Sequence, residues 1–399
     1  VISYHQLIPV INHLILEPLS IGSLVFDPPH LCDPNSIKPS FYHFDHLLGR
    51  TIWYHEEPLD QNILQNLIPC VDMDHVSETI YSSGIHSKFN DVNMTILANS
   101  EKSELKRIWI KENQKHILDW YFFFHGFLTL DWYRDYKFYN FDIKRSSKLF
   151  SSFNHIITEK RSYRLYFIAK LAKENLLPYG HVSCPNLSQS LVKSEIVNKN
   201  SWLDKLSKKT IYNNLLPIAY PMILDQVNYN KSSANISSYL HDSYWNIVTE
   251  TVFYDKKLHL TEKIFKPIAS KRPFILIAAP GNLQYLKSYG FQTFDKWINE
   301  DYDTIEDPTA RIDHVVKQIT KLSEMSESKK RIMYNDINQI CEYNHYHFFK
   351  NFPKIIVNEL VDNFEICLKQ YNVARYTQRH KFQLDVNFKE IKDKFLKLL

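Results

Sequence analysis

The scarcity of glycine constrains this chain more than any other feature: there are seven in 399 residues. Average usage of roughly 7% would give about 28. The seven stand far apart, at Gly22, Gly49, Gly84, Gly126, Gly180, Gly281 and Gly290. Neither GxGxxG nor GxxxxGK followed by Ser or Thr can be written from them. The glycine-loop routes to phosphate binding are therefore closed. A phosphate bound by such a chain has to meet a helix N-terminus and cationic side chains.

Hydrophobic residues make up 44% and charged residues 23%, a globular rather than a disordered composition. Aromatic residues reach 14%, enough for large cores and for adhesive clefts. No run of 18 apolar residues occurs, so no membrane span is expected. Residues 1–26 lack the layout of a signal peptide. The five cysteines, Cys32, Cys70, Cys184, Cys341 and Cys367, are scattered and include no CxxC pair. That argues against a zinc ribbon or a redox motif and for a reducing cytoplasm. The net charge of +4 neither demands nor excludes a polyanionic partner. Richness in Asn, Lys, Ile and Tyr with few Gly points to an AT-rich genome, phage or viral, and so to the cytoplasm of a host cell.

Along the chain, short apolar runs alternate with helical patterns. TIWYHEEPLDQNILQNLI (51–68) and VNMTILANSEKSELKRIWIKENQ (92–114) each read as strand, turn and helix. HILDWYFFFHGFLTLDWYRDY (116–136) is an aromatic-rich stretch. The basic, Ser-rich DIKRSSKLFSSFNH (142–155) reads as a boundary. RSYRLYFIAKLAKENLL (161–177) predicts a helix, with Leu165, Ile168, Leu171 and Ala172 at helical spacing. Residues 190–215 are polar and read as peripheral. YWNIVTETVFYD (244–255) and RPFILIAAP (272–280) predict strands, and NLQYLKSYGF (282–291) a helix closed by Gly290. Helix is expected over 307–325, with Pro308 in its first turn, and on to about residue 374. The tail 388–399 puts Phe388, Ile391, Phe395 and Leu398 on one face. Strand–helix alternation predicts an α/β molecule of two Rossmann-like halves, 1–148 and 149–374, with a helical tail over 375–399. Two such halves are expected to face a central cleft at the carboxyl ends of their strands.

LTEKIFKPIASKRPFIL (260–276) places a charge pair at the mouth of an apolar layer. Thr261 is a favourable N-cap, which sets Glu262 at the first helical position and Lys263 at the second. Pro267 predicts a short or kinked helix. The free N–H groups of the first turn attract anions, and Lys263 and Lys266 add point charges. Glu262 can accept hydrogen bonds from ribose hydroxyls. Glu250 closes the preceding strand. Acidic residues are also common at helix starts for purely structural reasons.

VTETVFYDKKLHLTEKIFKPIASKRPFIL resembles the donor-binding segment of GT-B glycosyltransferases of the α-1,3-fucosyltransferase type. It resembles more closely a group of phage and bacterial glycosyltransferase-like proteins with TEKxxKPI, then PF, then GFxTF. The counterpart of that last piece is YGFQTFDKWINEDYD (289–303). The resemblance covers roughly residues 150–320. FNHIITEKRSYRLYFIAKLAKENLL (153–177) is similar to the segment that begins the donor domain. It implies donor-side roles for Asn154, Arg161 and Arg164, with both arginines facing a diphosphate. Glu250, Thr261, Glu262, Lys263 and Lys266 complete the implied donor site. IWYHEEPL (52–59) resembles the strand-ending ESP of fucosyltransferases, which implies a general base at Glu56. Glu57 stands where that motif has Ser, so either carboxylate fits. His125, in FFFHGF, is a rival base.

Two DxD sequences, Asp72 with Asp74 and Asp301 with Asp303, offer the competing metal-dependent reading. His43, Asp45 and His46, or His345 and His347, could hold a metal but lack a third ligand at convincing spacing. Basic stretches mixed with aromatics leave nucleic-acid contact open, yet no motif reads DNA.

The expectation is thus a GT-B enzyme moving a sugar from a nucleotide diphosphate sugar to an acceptor hydroxyl, with inversion and without an essential metal or cofactor. The tail helix is expected to pack back on the first domain. The acceptor is left open among glycan, lipid and nucleic acid. One alternative is a phage enzyme glycosylating hydroxymethylated DNA bases. Another is a non-catalytic viral binding protein that has kept the fold.

Overall fold

The computed structural model describes residues 41–46, 49–54, 95–99, 102–104, 107–108, 111, 117–138, 146–184, 189–198, 201–216, 238–254, 256–376 and 388–398. The chain is mixed α/β. It divides into two compact units, one comprising 1–131 with 353–399, the other 132–352.

The first unit holds a four-stranded sheet in the order β1 (Phe41–His46), β2 (Gly49–Tyr54), β3 (Thr95–Asn99), β4 (Ile117–Tyr121). β1 and β2 pair antiparallel, and β2, β3 and β4 run parallel. Helix α1 (Phe124–Trp132) follows β4. In the second unit the strands are β5 (Lys148–Phe153), β6 (Gly180–Ser183), β7 (Ser243–Thr249) and β8 (Phe274–Ile277). Its helices are α2 (Tyr163–Lys173), α3 (Gln189–Val197), α4 (Lys205–Asn214), α5 (Glu262–Ala269), α6 (Asn282–Ser288), α7 (Pro308–Ser323) and α8 (Glu327–Lys350). α9 (Phe352–Tyr376) carries the chain back into the first unit, where α10 (Phe388–Leu398) ends it.

Within the first unit α9 covers β4. Val357, Leu360, Val361, Phe364 and Cys367 recur at helical spacing and are all buried. Trp120 Nε1 donates to the Leu360 carbonyl at 3.1 Å, and the Trp120 and Phe364 ring centroids lie 4.2 Å apart. Asn363 Nδ2 donates to the Tyr121 carbonyl at 3.1 Å. Lys392 of α10 pairs with Asp362.

The second sheet is wholly parallel, in the order β8–β7–β5–β6. By chain order that is fourth, third, first, second. The direction of winding therefore reverses between β5 and β7, which makes that gap the topological switch point. Right-handed crossovers then put α2 and α5 on opposite faces. In keeping with this, α2 packs on α4 and α7, while α5 packs on α8. Parallel strands covered on both faces should be continuously apolar. β8 obeys, with Phe274, Ile275, Leu276 and Ile277 all buried.

β5 does not obey, and it lies inside the Ser-rich stretch that reads as a boundary in the sequence. Ser151 and Ser152 are fully buried, which is tolerable only because both are bonded. Ser151 Oγ accepts from Asn246 Nδ2 at 3.1 Å, and Ser152 Oγ from Asn154 Nδ2 at 3.1 Å. The stretch 190–215, polar in sequence, also contributes to the core: Ile211 of α4 is fully buried.

The GFQTF piece serves packing and capping. Phe294 meets Trp245 and Phe274 at centroid distances of 5.3 and 5.1 Å, and Phe291 meets Phe265 at 5.9 Å. Gln292 exchanges two hydrogen bonds with the Asn344 side chain, at 2.8 and 2.9 Å. Asp303 caps α6, accepting from Leu283 N–H at 2.9 Å and Gln284 N–H at 3.0 Å. Both Asp303 oxygens thus serve a helix end. His345 and His347 are likewise structural. Their ring nitrogens bond the carbonyls of Ala269 (2.9 Å) and Tyr289 (2.7 Å), and burial lowers both pKa values.

Candidate functional site

At the switch point, Asn154 follows directly on β5 and Glu250 on β7. Both side chains are fully buried. Asn154 Oδ1 accepts from Thr249 Oγ1 at 3.0 Å, which ties the two strand ends together. The backbone beyond β7 then turns and returns through Thr261 into α5.

Glu250 holds that return in place. Its carboxylate accepts from Thr261 N–H at 3.1 Å, Thr261 Oγ at 2.5 Å and Thr251 N–H at 3.2 Å. Burial raises its pKa, and Glu262 pushes the same way. The Lys263 charge and the Thr261 hydrogen bonds oppose them without cancelling them.

Thr261 is the N-cap of α5, with extended φ and ψ of −117° and −174°. Its Oγ accepts from Lys263 N–H at 3.4 Å. The helix is eight residues long and carries Pro267 in its interior, as the sequence led one to expect. Lys263 Nζ reaches Glu262 Oε1 at 2.7 Å, Thr251 Oγ at 3.2 Å and Thr261 Oγ at 3.2 Å. The Lys263 side chain is 33% exposed and that of Glu262 12%. One ammonium thus sits over the first turn of a helix at the carboxyl end of a doubly wound sheet, and is accessible from solvent. An anion placed there meets an ammonium shared with Glu262, together with the positive end of the helix dipole.

The remaining sequence candidates divide sharply. Arg164, expected to face a diphosphate, is 3% exposed. Its guanidinium donates to the carbonyls of Ile156 (2.8 Å), Thr249 (2.8 Å) and Glu250 (3.2 Å). It braces the strand ends from behind and presents no surface. Arg161 ends a 3-10 turn, Glu159–Arg161, just before α2 and is half-buried. Lys266 is half-buried and belongs to the last turn of α5 rather than to its tip. His125 lies half-buried on α1 in the first unit. His43, Asp45 and His46 are on β1, where Asp45 stands opposite Arg50 in the ladder. Glu56, Glu57, His55, Asp72 and Asp74 lie outside the described residues. Among the described residues no group of three or more His, Cys, Asp or Glu side chains is placed to hold a metal ion.

No protein-family model matches the sequence, and no curated protein matches it. Among solved structures the chain is similar to a crystal structure of the DNA-modifying enzyme β-glucosyltransferase, determined in the presence and absence of uridine diphosphoglucose. The likeness covers 67% of each chain at 9% identity, with a TM-score of 0.38. No described helix is long and apolar enough to cross a membrane.

Two supporting residues gave no signal in the sequence. Tyr133 is fully buried and donates its hydroxyl to the Glu262 carbonyl at 3.2 Å, which anchors the first turn of α5. Burial, then Glu262, pushes its pKa well up. Arg311 of α7 is 1% exposed and donates to the carbonyls of Ile305 (2.6 Å) and Phe253 (2.7 Å). It fixes the chain just beyond β7, and burial lowers its pKa to about 10. Arginines are usually read as surface groups, so only the structure identifies these struts.

Proposed function

We propose that the chain is a glycosyltransferase of the GT-B type, moving a sugar from a nucleotide diphosphate sugar to an acceptor hydroxyl. The observation that carries this reading is the Lys263 ammonium at the α5 tip, beside the switch point of a parallel sheet. In a chain without glycine loops, that is the kind of place where a diphosphate binds. The TEK segment supports it, since its resemblance to donor-binding segments falls on the same residues. In this reading Lys263 and the α5 N–H groups stabilise the charge that builds up on the departing diphosphate. The Glu262 carboxylate accepts from the ribose hydroxyls. Glu250, Thr261, Asn154 and Arg164 position these groups from the buried side. Glu56 or Glu57, with His125 as rival, takes the acceptor proton.

Lys263→Ala is expected to weaken donor or transition-state binding by about 1.5–3 kcal/mol, the range for a hydrogen bond to a charged group. Calorimetric titration with UDP and GDP sugars, together with transfer assays on glycan, lipid and hydroxymethylated DNA acceptors, measures it. Normal affinity and normal transfer in that variant would sink the assignment. Running the transfer assay in EDTA separates this mechanism from the metal-dependent one.

A further inference from the structure

The three N–H donors of the Lys263 ammonium are all committed inside the chain. They go to Glu262 Oε1 at 2.7 Å, Thr251 Oγ at 3.2 Å and Thr261 Oγ at 3.2 Å. The shortest of these bonds, and the one to a charge, is made with the neighbouring carboxylate. Helix geometry does not impose that contact. Glu262 and Lys263 are the first two residues of α5, and successive residues on a helix point about 100° apart. Both side chains bend toward each other over the helix tip.

The surroundings make this pair hard to split. Glu262 is 9% exposed, and its backbone carbonyl accepts from the buried Tyr133 hydroxyl at 3.2 Å. A carboxylate with so little access to water is strongly destabilised when its cation is taken away. The charged groups behind the tip offer Glu262 no relief. Glu250 is itself a carboxyl group, and the guanidinium of Arg164 is turned to the carbonyls of Ile156, Thr249 and Glu250.

That arrangement sorts ligands by the groups they bring. Inorganic phosphate and diphosphate bring acceptors above all. To reach Lys263 such an anion has to displace Glu262, and it then lies beside a carboxylate that repels it. A ligand with hydroxyl donors beside its phosphates avoids both penalties. Its hydroxyls donate to Glu262 while its phosphate oxygens take over the ammonium. A nucleoside diphosphate carries a vicinal diol and a diphosphate on one ribose.

We propose that the Glu262–Lys263 ion pair is a gate on the α5 socket, opened only by a ligand that presents a vicinal diol together with its diphosphate. Glu262 is then a specificity-determining residue, because it makes the socket refuse inorganic phosphate and diphosphate. The inference rests on the diphosphate role given to Lys263 above and adds an exchange to it. Glu262 passes from ammonium to hydroxyls, Lys263 passes from carboxylate to phosphate, and each charge keeps a partner.

Calorimetric titration of the full chain at low salt tests it. The probes are inorganic diphosphate, UDP, GDP and the dideoxyribose forms of both nucleotides, which lack the diol. The parent is expected to bind the better of UDP and GDP at least tenfold tighter than its dideoxyribose form and than inorganic diphosphate. E262Q keeps an acceptor oxygen for the diol and releases Lys263. Its affinity for inorganic diphosphate and for the dideoxyribose nucleotide should rise at least fivefold, with a smaller gain for the intact nucleotide, so that discrimination collapses. The dideoxyribose comparison needs no variant and stands whether or not E262Q folds. Equal binding of intact and dideoxyribose nucleotides by the parent overturns the gate, as does an E262Q variant that discriminates like the parent. In either case, loss of nucleotide binding in K263A leaves the diphosphate site standing. Absence of binding by every probe overturns the gate and the diphosphate site together.

Discussion

Glu250 shows how a single side chain can serve both the fold and the site. It is the buried residue just past β7, and three donors from Thr251 and Thr261 converge on it. Its pKa in the folded chain is raised above the ordinary 4.5, with burial the leading cause. A carboxyl group with a raised folded pKa favours the folded state in its protonated form. That contribution is complete below the unfolded pKa and is lost as pH climbs through the folded one. Glu250→Gln keeps the shape and cannot ionise. The melting temperature of this variant, relative to the parent, should therefore rise between pH 4 and pH 8. Thermal melts across that range measure the difference, and a flat difference would contradict a raised pKa. Lys263, 33% exposed and bonded to Glu262, is the accessible member of the same cluster.

At the level of elements, the contact between β5 and β6 depends on a missing side chain. Gly180 pairs with Phe150 in the parallel ladder, and a Cβ there would fall 2.4 Å from the Phe150 ring. Phe150 is 1% exposed and has little room to move. Gly180→Ala should cost about 1–3 kcal/mol, the usual range for overpacking a core. Phe150→Leu in the same background should recover part of it, and urea melts of the two variants report both effects.

The elements most legible in the sequence are those with local signals. The Thr261 cap, the Pro308 first turn of α7 and the closure after α6 at Gly290, whose φ is +90°, all lie where their residue chemistry puts them. β5 was hidden because two of its four buried positions are serines, which are acceptable there only through their bonds to Asn246 and Asn154. The site was legible in part. The TEK tip is a local pattern that survives folding. Arg164 and Asn154 lie at the switch point but face inward, and a direction of that kind depends on the tertiary fold rather than on spacing. Tyr133 and Arg311 act through backbone carbonyls far away in sequence, which no local pattern encodes.

At the scale of the molecule, the chain leaves the first unit at residue 131 and returns to it at 353. The first unit is therefore discontinuous and incomplete without α9. A fragment ending at Phe352 should keep the second unit intact and lose protection in β4, because Trp120 would forfeit both its Leu360 acceptor and its Phe364 neighbour. Hydrogen exchange read by mass spectrometry should show faster exchange over 117–121 and little change over 243–249 and 274–277. Unchanged protection of β4 in that fragment would show that α9 is dispensable to it.

The serines and amides at the centre of the second sheet carry one more consequence. Parallel strands that are apolar on both sides offer many near-equivalent alignments, because one buried aliphatic group replaces another at little cost. Here the bonds of Asn246 to Ser151 and Thr249 to Asn154 form in a single alignment of β5 with β7. Sliding β5 by one residue would strand these groups in the interior and turn every side chain of the strand to the opposite face. The polar seam works as a key: the strands close in one alignment, and that alignment brings Asn154 and Glu250 level at the sheet's edge.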